Sequence, residues 1–139
     1  MNTTLVGVPQ DSVDLVWGKA QPLLERALGY ADGEFTIEDV LKFILDRTMQ
    51  LWVLLDAETD DVVMAATTEM TSYPRMKVCR VVLMGGVSMD VWQDQVPVFE
   101  DWARQNGCQM FEIYGRKGLA KKLTQLGYET KYYVNRKQL

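Results

Sequence analysis

The chain has no histidine in its 139 residues. That absence excludes Ser-His-Asp and Cys-His catalysis and most zinc sites. Its only cysteines, Cys79 and Cys108, stand far apart with no CxxC spacing, so in a reducing compartment they read as small buried apolar side chains. No apolar run approaches the ~20 residues that span a bilayer. The opening Met1-Asn-Thr-Thr-Leu-Val has no basic segment followed by an apolar stretch, so no signal peptide is predicted. The expected location is the cytoplasm, or an assembly built there. What remains is 47% apolar and 24% charged, the composition of a folded globular protein of one domain.

Charge is distributed unevenly. Residues 115–139 hold Arg116, Lys117, Lys121, Lys122, Lys131, Arg136 and Lys137 against Glu129 alone, a local +6 that leaves −10 on the rest of a chain whose net charge is −4. A basic end on an acidic body is suited to phosphate, DNA or an acidic protein surface. It also fits a solvated helix face followed by a polar tail.

Local patterns predict the elements. Thr4 to Val8 reads as a strand ended by Pro9. Asp11 or Ser12 can cap a helix running to Leu28, which Pro22 should break or bend. Thr36 with Asp39 resembles a capping box for a helix from Ile37 to Asp46. Gln50–Asp56, Val62–Ser72 and the strand from Lys77 should form an antiparallel meander, with turns at 57–61 and 73–75. From Met89 to Asn106, apolar positions recur at helical spacing around Pro97. Met110–Tyr114 reads as a strand, Lys117–Leu126 as a helix, and Glu129–Asn135 as a closing strand. Trp17, Trp52, Trp92 and Trp102 fall on periodic apolar positions and read as core, with Trp92 also able to line a pocket beside the glycines.

The segment from Lys77 to Tyr128 is the most informative. The strand Lys77-Val-Cys-Arg-Val-Val-Leu-Met84 stops at Gly85-Gly86, a helix is expected from Ser88, and a second strand and helix follow. Alternating strands and helices require crossover connections and parallel pairing. Unpaired N–H groups at the end of such a strand can receive an anion.

This order, together with Arg116-Lys-Gly-Leu-Ala-Lys-Lys-Leu-Thr-Gln-Leu-Gly-Tyr128, resembles the GNAT superfamily of acetyl-CoA-dependent N-acetyltransferases. The resemblance implies an α/β (α+β) fold across residues 1–139: a mixed, mostly antiparallel sheet of about six strands with about four helices on its faces. It implies acetyl-CoA as cofactor and an amine as acceptor; without histidine or a metal-binding pattern, no metal is expected. In the family a loop Arg/Gln-x-x-Gly-x-Gly/Ala holds the pyrophosphate of coenzyme A. The matching stretch here, Met84-Gly-Gly-Val-Ser-Met-Asp-Val-Trp92, lacks the basic first position and the Gly-x-Gly spacing, and puts Asp90 in the first helical turn, where a carboxylate competes with phosphate. The cofactor-binding candidates are Gly85, Gly86, Val87 and Ser88, with Arg116 bringing a cation from the next strand's end. Many relatives place a general-acid Tyr four residues before the Leu-Gly-aromatic glycine. The count here lands on Leu123, which leaves Tyr114 or Tyr128 as substitutes.

A general base must accept the proton of the attacking amine. Glu69 and Glu112 are candidates because each interrupts an apolar strand; either also fits the solvent face of an alternating strand. The catalytic candidates are therefore Glu69, Glu112 and Tyr114. Two readings of function follow. One is an acyl-CoA-dependent N-acyltransferase or acyl-CoA binder. The other is a GNAT-like domain without catalysis that serves an assembly, similar to proteins of tailed phages and prophages, including internal virion components, with protein partners or DNA at the basic end.

Overall fold

The computed structural model describes residues 2–31, 33–86, 89–115 and 117–139. Strand β1 (Thr3–Val8) leads through a single tight helical turn, Gln10–Ser12, into helix α1 (Val13–Leu28), then α2 (Ile37–Leu45). Strands β2 (Gln50–Asp56), β3 (Val62–Ser72) and β4 (Lys77–Gly86) form the meander. After it come α3 (Met89–Gln93), α4 (Val96–Gln105), β5 (Met110–Ile113) and α5 (Lys117–Thr124). The five strands lie in one sheet in chain order. The first three pairings are antiparallel, and β4 with β5 is parallel.

Two apolar layers hold the sheet. On one face Val13, Ala20 and Leu24 of α1 and Val40 and Ile44 of α2 pack on Leu51, Val53, Ala65 and Leu83. On the other, Trp92, Val96, Phe99 and Leu123 pack on Trp52, Leu54, Met64 and Ala66. Strand residues alternate between these layers because successive side chains point to opposite faces. The tryptophans do sit in these layers: Trp52 and Trp92 are buried and Trp17 and Trp102 half-buried. Trp52 donates from Nε1 to Thr68 Oγ1, which donates in turn to Gln50 Oε1, both at 2.9 Å.

Local expectations hold where the chemistry is local. Thr36 and Asp39 form a reciprocal capping box on α2. Three expectations are corrected, and one of two alternatives is removed. Helix α1 runs through Pro22 unbroken rather than in two pieces, since Pro22 and Gly18 both lie on the wet side and water can take the carbonyl that proline leaves unbonded. Ser12 stands at its N-cap without a side-chain cap bond. The helix expected from Met89 to Asn106 is two helices, with Pro97 in the first turn of α4, where a missing N–H costs nothing. The sixth strand does not form: residues 129–139 have no strand pairing and are exposed throughout. Its consecutive Tyr132, Tyr133 and Val134 offer no one-sided apolar alternation with which to choose a face.

Among the described residues no helix is long and apolar enough to cross a membrane.

Candidate active site at the parting of two strands

Strands β4 and β5 pair only from Val78 with Met110 to Val81 with Ile113; a backbone bond flanks the ladder at each end, from the Gln109 N–H to the Lys77 carbonyl at 2.9 Å and from the Tyr114 N–H to the Val81 carbonyl at 3.1 Å. Beyond the latter β5 has ended, while β4 continues to Gly86. The register with β3 shifts at this point, Thr67 facing Leu83 and Thr68 facing Val81, so that Val82 is an extra residue on β4. A bulge bends the strand that carries it. The result is a parting between the two parallel strands in which Leu83–Gly86 keep their bonds to β3 and have no strand partner on the other side among the described residues. An open strand edge is a row of donors and acceptors for an extended guest.

The glycines serve this parting by packing. A Cβ on Gly85 would lie 2.1 Å from the Leu23 carbonyl oxygen of α1, and one on Gly86 would lie 2.7 Å from the Val63 carbonyl oxygen. Only a residue without a side chain lets α1 cross β4 so closely. Val87, Ser88 and Arg116 lie outside the described residues. The helix expected from Ser88 is described from Met89 and has five residues, a short stack of peptide dipoles with which to hold an anion.

Glu69, Arg80 and Glu112 lie opposite one another on adjacent strands. Arg80 Nη1 sits 3.0 Å from Glu69 Oε1 and Nη2 sits 3.0 Å from Glu112 Oε2. Nε also donates to Glu112 Oε2, and Nη2 reaches the Tyr73 hydroxyl at 3.5 Å. The Tyr114 ring lies against the guanidinium, 4.7 Å from its carbon, a cation–π contact. Burial works against the charge on Arg80, but the bonds it donates to Tyr73, Glu69 and Glu112 outweigh it and raise its pKa. Both base candidates therefore spend one oxygen on the same cation. The cluster carries a net charge of −1, and Glu69 Oε2 and Glu112 Oε1 have no partner among the described residues.

Arg80 escaped the sequence reading, although a signal existed. A turn that closes between Ser72 and Lys77 sets the register that puts Glu69 across from Arg80. The fully buried Thr67 was missed too; its hydroxyl has no partner among the described residues.

The acid candidates separate. Leu123 is a buried member of the layer under α4, so no proton donor can stand there. The Tyr128 hydroxyl donates to Glu100 Oε2 at 2.5 Å, and burial followed by that bond raises its pKa, which keeps the proton in place. Tyr114 is exposed at the end of β5, beside the parting, and is the tyrosine free to face a guest.

No family model matches the sequence, and no curated protein is similar to it. Solved structures are similar in fold. A glucosamine-6-phosphate N-acetyltransferase from Arabidopsis thaliana superposes with a TM-score of 0.70 at 12% identity, over 99% of each chain. A GNAT family acetyltransferase from Staphylococcus aureus gives 0.69 at 14% identity, over 100% of each. An aminoglycoside acetyltransferase from an uncultured soil metagenomic sample, in complex with sisomicin, gives 0.69 at 10% identity over 99% of this chain and 96% of its own. At such identities the likeness is one of architecture: over almost its whole length, this chain has a GNAT-like fold.

Proposed function

We propose that the chain binds a coenzyme A thioester, acetyl-CoA in the simplest case, along the open edge of β4 and presents its acyl group to an amine. The observation that carries this reading is the run Leu83–Gly86 beside the end of β5, paired with β3 on one side and without a strand partner on the other among the described residues. The pantetheine arm of coenzyme A is an extended chain with two amides, and such a chain can add to a strand edge as a further strand does. When bound, the thioester supplies the activated acyl group. The backbone of Leu83, Met84, Gly85 and Gly86 would hold the arm, with Val87, Ser88 and Arg116 toward the pyrophosphate. The unengaged oxygens of Glu69 and Glu112 would attract a cationic amine, and Tyr114 would guide it.

The test is isothermal titration with acetyl-CoA, S-acetylpantetheine and adenosine 3′,5′-bisphosphate. If the strand edge carries affinity, acetylpantetheine binds without the nucleotide. No binding of any of the three at about 1 mM, an affinity weaker than about −4 kcal/mol, overturns the reading.

A second reading has its own observation. Tyr132, Tyr133 and Val134 stand 86%, 87% and 82% exposed on a basic segment, and Leu123 occupies the acid position. Both suit a GNAT-like part without catalysis, whose partners would be phage or host proteins, or DNA. Elution as a monomer, with no salt-dependent retention on DNA, counts against it.

A further inference from the structure

We propose a second ligand site at the opposite end of the sheet from the parting, a cleft of about 440 Å³ that takes a small aromatic monocarboxylate. The cleft opens under the first residues of β2, between the end of α2 and α4. Ile44, Met49 and Leu51 make its wall on the α2 side, and Trp102 faces them from α4. A hollow of about 220 Å³ continues it past Gly7 to Trp52. Gly7 and Trp52 are opposite each other in the β1–β2 register, and a Cβ on Gly7 would press on the indole at 3.1 Å. The bare glycine is therefore what lets the Trp52 ring lie over β1. The two indoles meet edge to face with centroids 4.8 Å apart, an aromatic floor on which a planar ring can stack.

Two donors line the cleft with Trp102. Arg47 lines the cleft with a φ of 67°. Its Nε donates to Gln10 Oε1 at 2.7 Å, and the Gln10 amide nitrogen donates to the Leu45 carbonyl. This clamp holds the side chain while leaving both η nitrogens without an ion pair among the described residues. The adjacent carboxylate, Asp46, accepts from the Thr48 N–H at 2.9 Å through Oδ1 and makes no ion pair with Arg47 among the described residues. The second donor is Gln50. Its oxygen is fixed by the Thr68 hydroxyl, so its amide nitrogen is the end left for a guest. A guanidinium and an amide in an indole-lined space select an anion with two acceptor oxygens on a flat apolar body. The volume suits one ring system and is at the small end of ligand pockets, about 300–1,000 Å³.

The probe is 2-naphthoate, with uncharged 2-naphthamide as its control, followed by tryptophan fluorescence and titration calorimetry. The expected result is naphthoate binding that changes the indole emission, with naphthamide at least about tenfold weaker. Arg47→Gly should lose at least about tenfold in affinity for naphthoate. It should also remain folded, because glycine suits the left-handed backbone better than arginine does. Arg47→Lys should keep part of the affinity, and coenzyme A should not compete. Equal affinity for the two probes, unchanged binding in Arg47→Gly, competition by coenzyme A, or no binding at about 5 mM would each overturn the proposal. None of these outcomes depends on whether the β4 edge holds a thioester.

Discussion

Replacing Arg80 by methionine should destabilise the protein in a way that neutralising its partners repairs. Methionine keeps the apolar stem of arginine and removes the charge. Glu69 and Glu112, which flank Arg80 on either side, would then face one another across β4 with no cation between them. The side chains of Arg80, Glu69 and Glu112 are 11%, 26% and 37% exposed. The cost therefore falls between that of exposed pairs, about 0.2–1 kcal/mol each, and that of breaking a buried pair, about 3–5 kcal/mol. With solvent screening at Glu112, about 2–3 kcal/mol for the whole cluster is expected.

For a chain of this length the entropy of unfolding makes 1 kcal/mol worth about 3–4 °C. Arg80→Met should then lower Tm by about 7–10 °C. Thermal unfolding followed by circular dichroism in Arg80→Met, in Glu69→Gln with Glu112→Gln, and in all three together completes a cycle. The triple variant should recover more than half of the loss, because the residual cost of Arg80→Met is mostly that of two uncompensated carboxylates. An unchanged Tm in Arg80→Met would refute the reasoning. So would a triple variant as unstable as the sum of its parts, since that would mean the cluster packs without electrostatic coupling.

Gly85→Ala drives a Cβ against the Leu23 carbonyl, backbone that cannot turn aside as a side chain can. A loss of about 3 kcal/mol, the upper end of overpacking, is expected, and a melting curve within 2 °C or so of the parent would contradict it. Thr67→Val removes a buried hydroxyl with no partner among the described residues at nearly constant shape. It should raise stability by about 1 kcal/mol, read as a higher denaturation midpoint with the same m-value. Burial pushes the Cys79 thiol from 9.0 up to about 12, with a smaller contribution from Cys108. A folded-state pKa above the unfolded one contributes stability that is whole below pH 9 and is lost as the pH rises toward 12. Cys79→Ala should accordingly lose less stability between pH 8 and 10 than the parent does, a difference visible in urea midpoints at the two pH values.

What could be read in the sequence was whatever neighbours in the chain decide. The strand Gln50–Asp56, the box of Thr36 with Asp39 and the stop of α4 at Asn106-Gly107 depend on periodicity and on side chains three residues apart. What could not be read depends on distant segments meeting. Gly85-Gly86 looks like a phosphate turn in one dimension; in three it is the place where α1 leans on β4. Glu69 and Glu112 each looked like a lone acid on a strand, yet a shared arginine 11 residues beyond the first and 32 before the second draws both together. The closing strand failed for a related reason: β-forming residues from Glu129 to Asn135 name a propensity, and a strand also needs a neighbour to accept it.

The same geometry separates binding from turnover. A positioned acid or base is worth about 10²–10⁴ in rate, whereas holding two reactants together is worth more in favourable cases. In this chain the position that the resemblance matches to a general acid holds the buried Leu123, and Tyr128 keeps its proton in a hydrogen bond donated to Glu100. The open edge of β4, by contrast, needs no titrating group to work. If acetylpantetheine binds there, acyl transfer should then depend on the exposed Tyr114 and on how far the acidic cluster draws an amine in. Tyr114→Phe in that case should leave thioester affinity within about twofold while lowering any transfer rate by about tenfold or more. A variant that loses affinity and rate together would mean that Tyr114 holds the thioester itself, and that the chemistry rests on proximity alone.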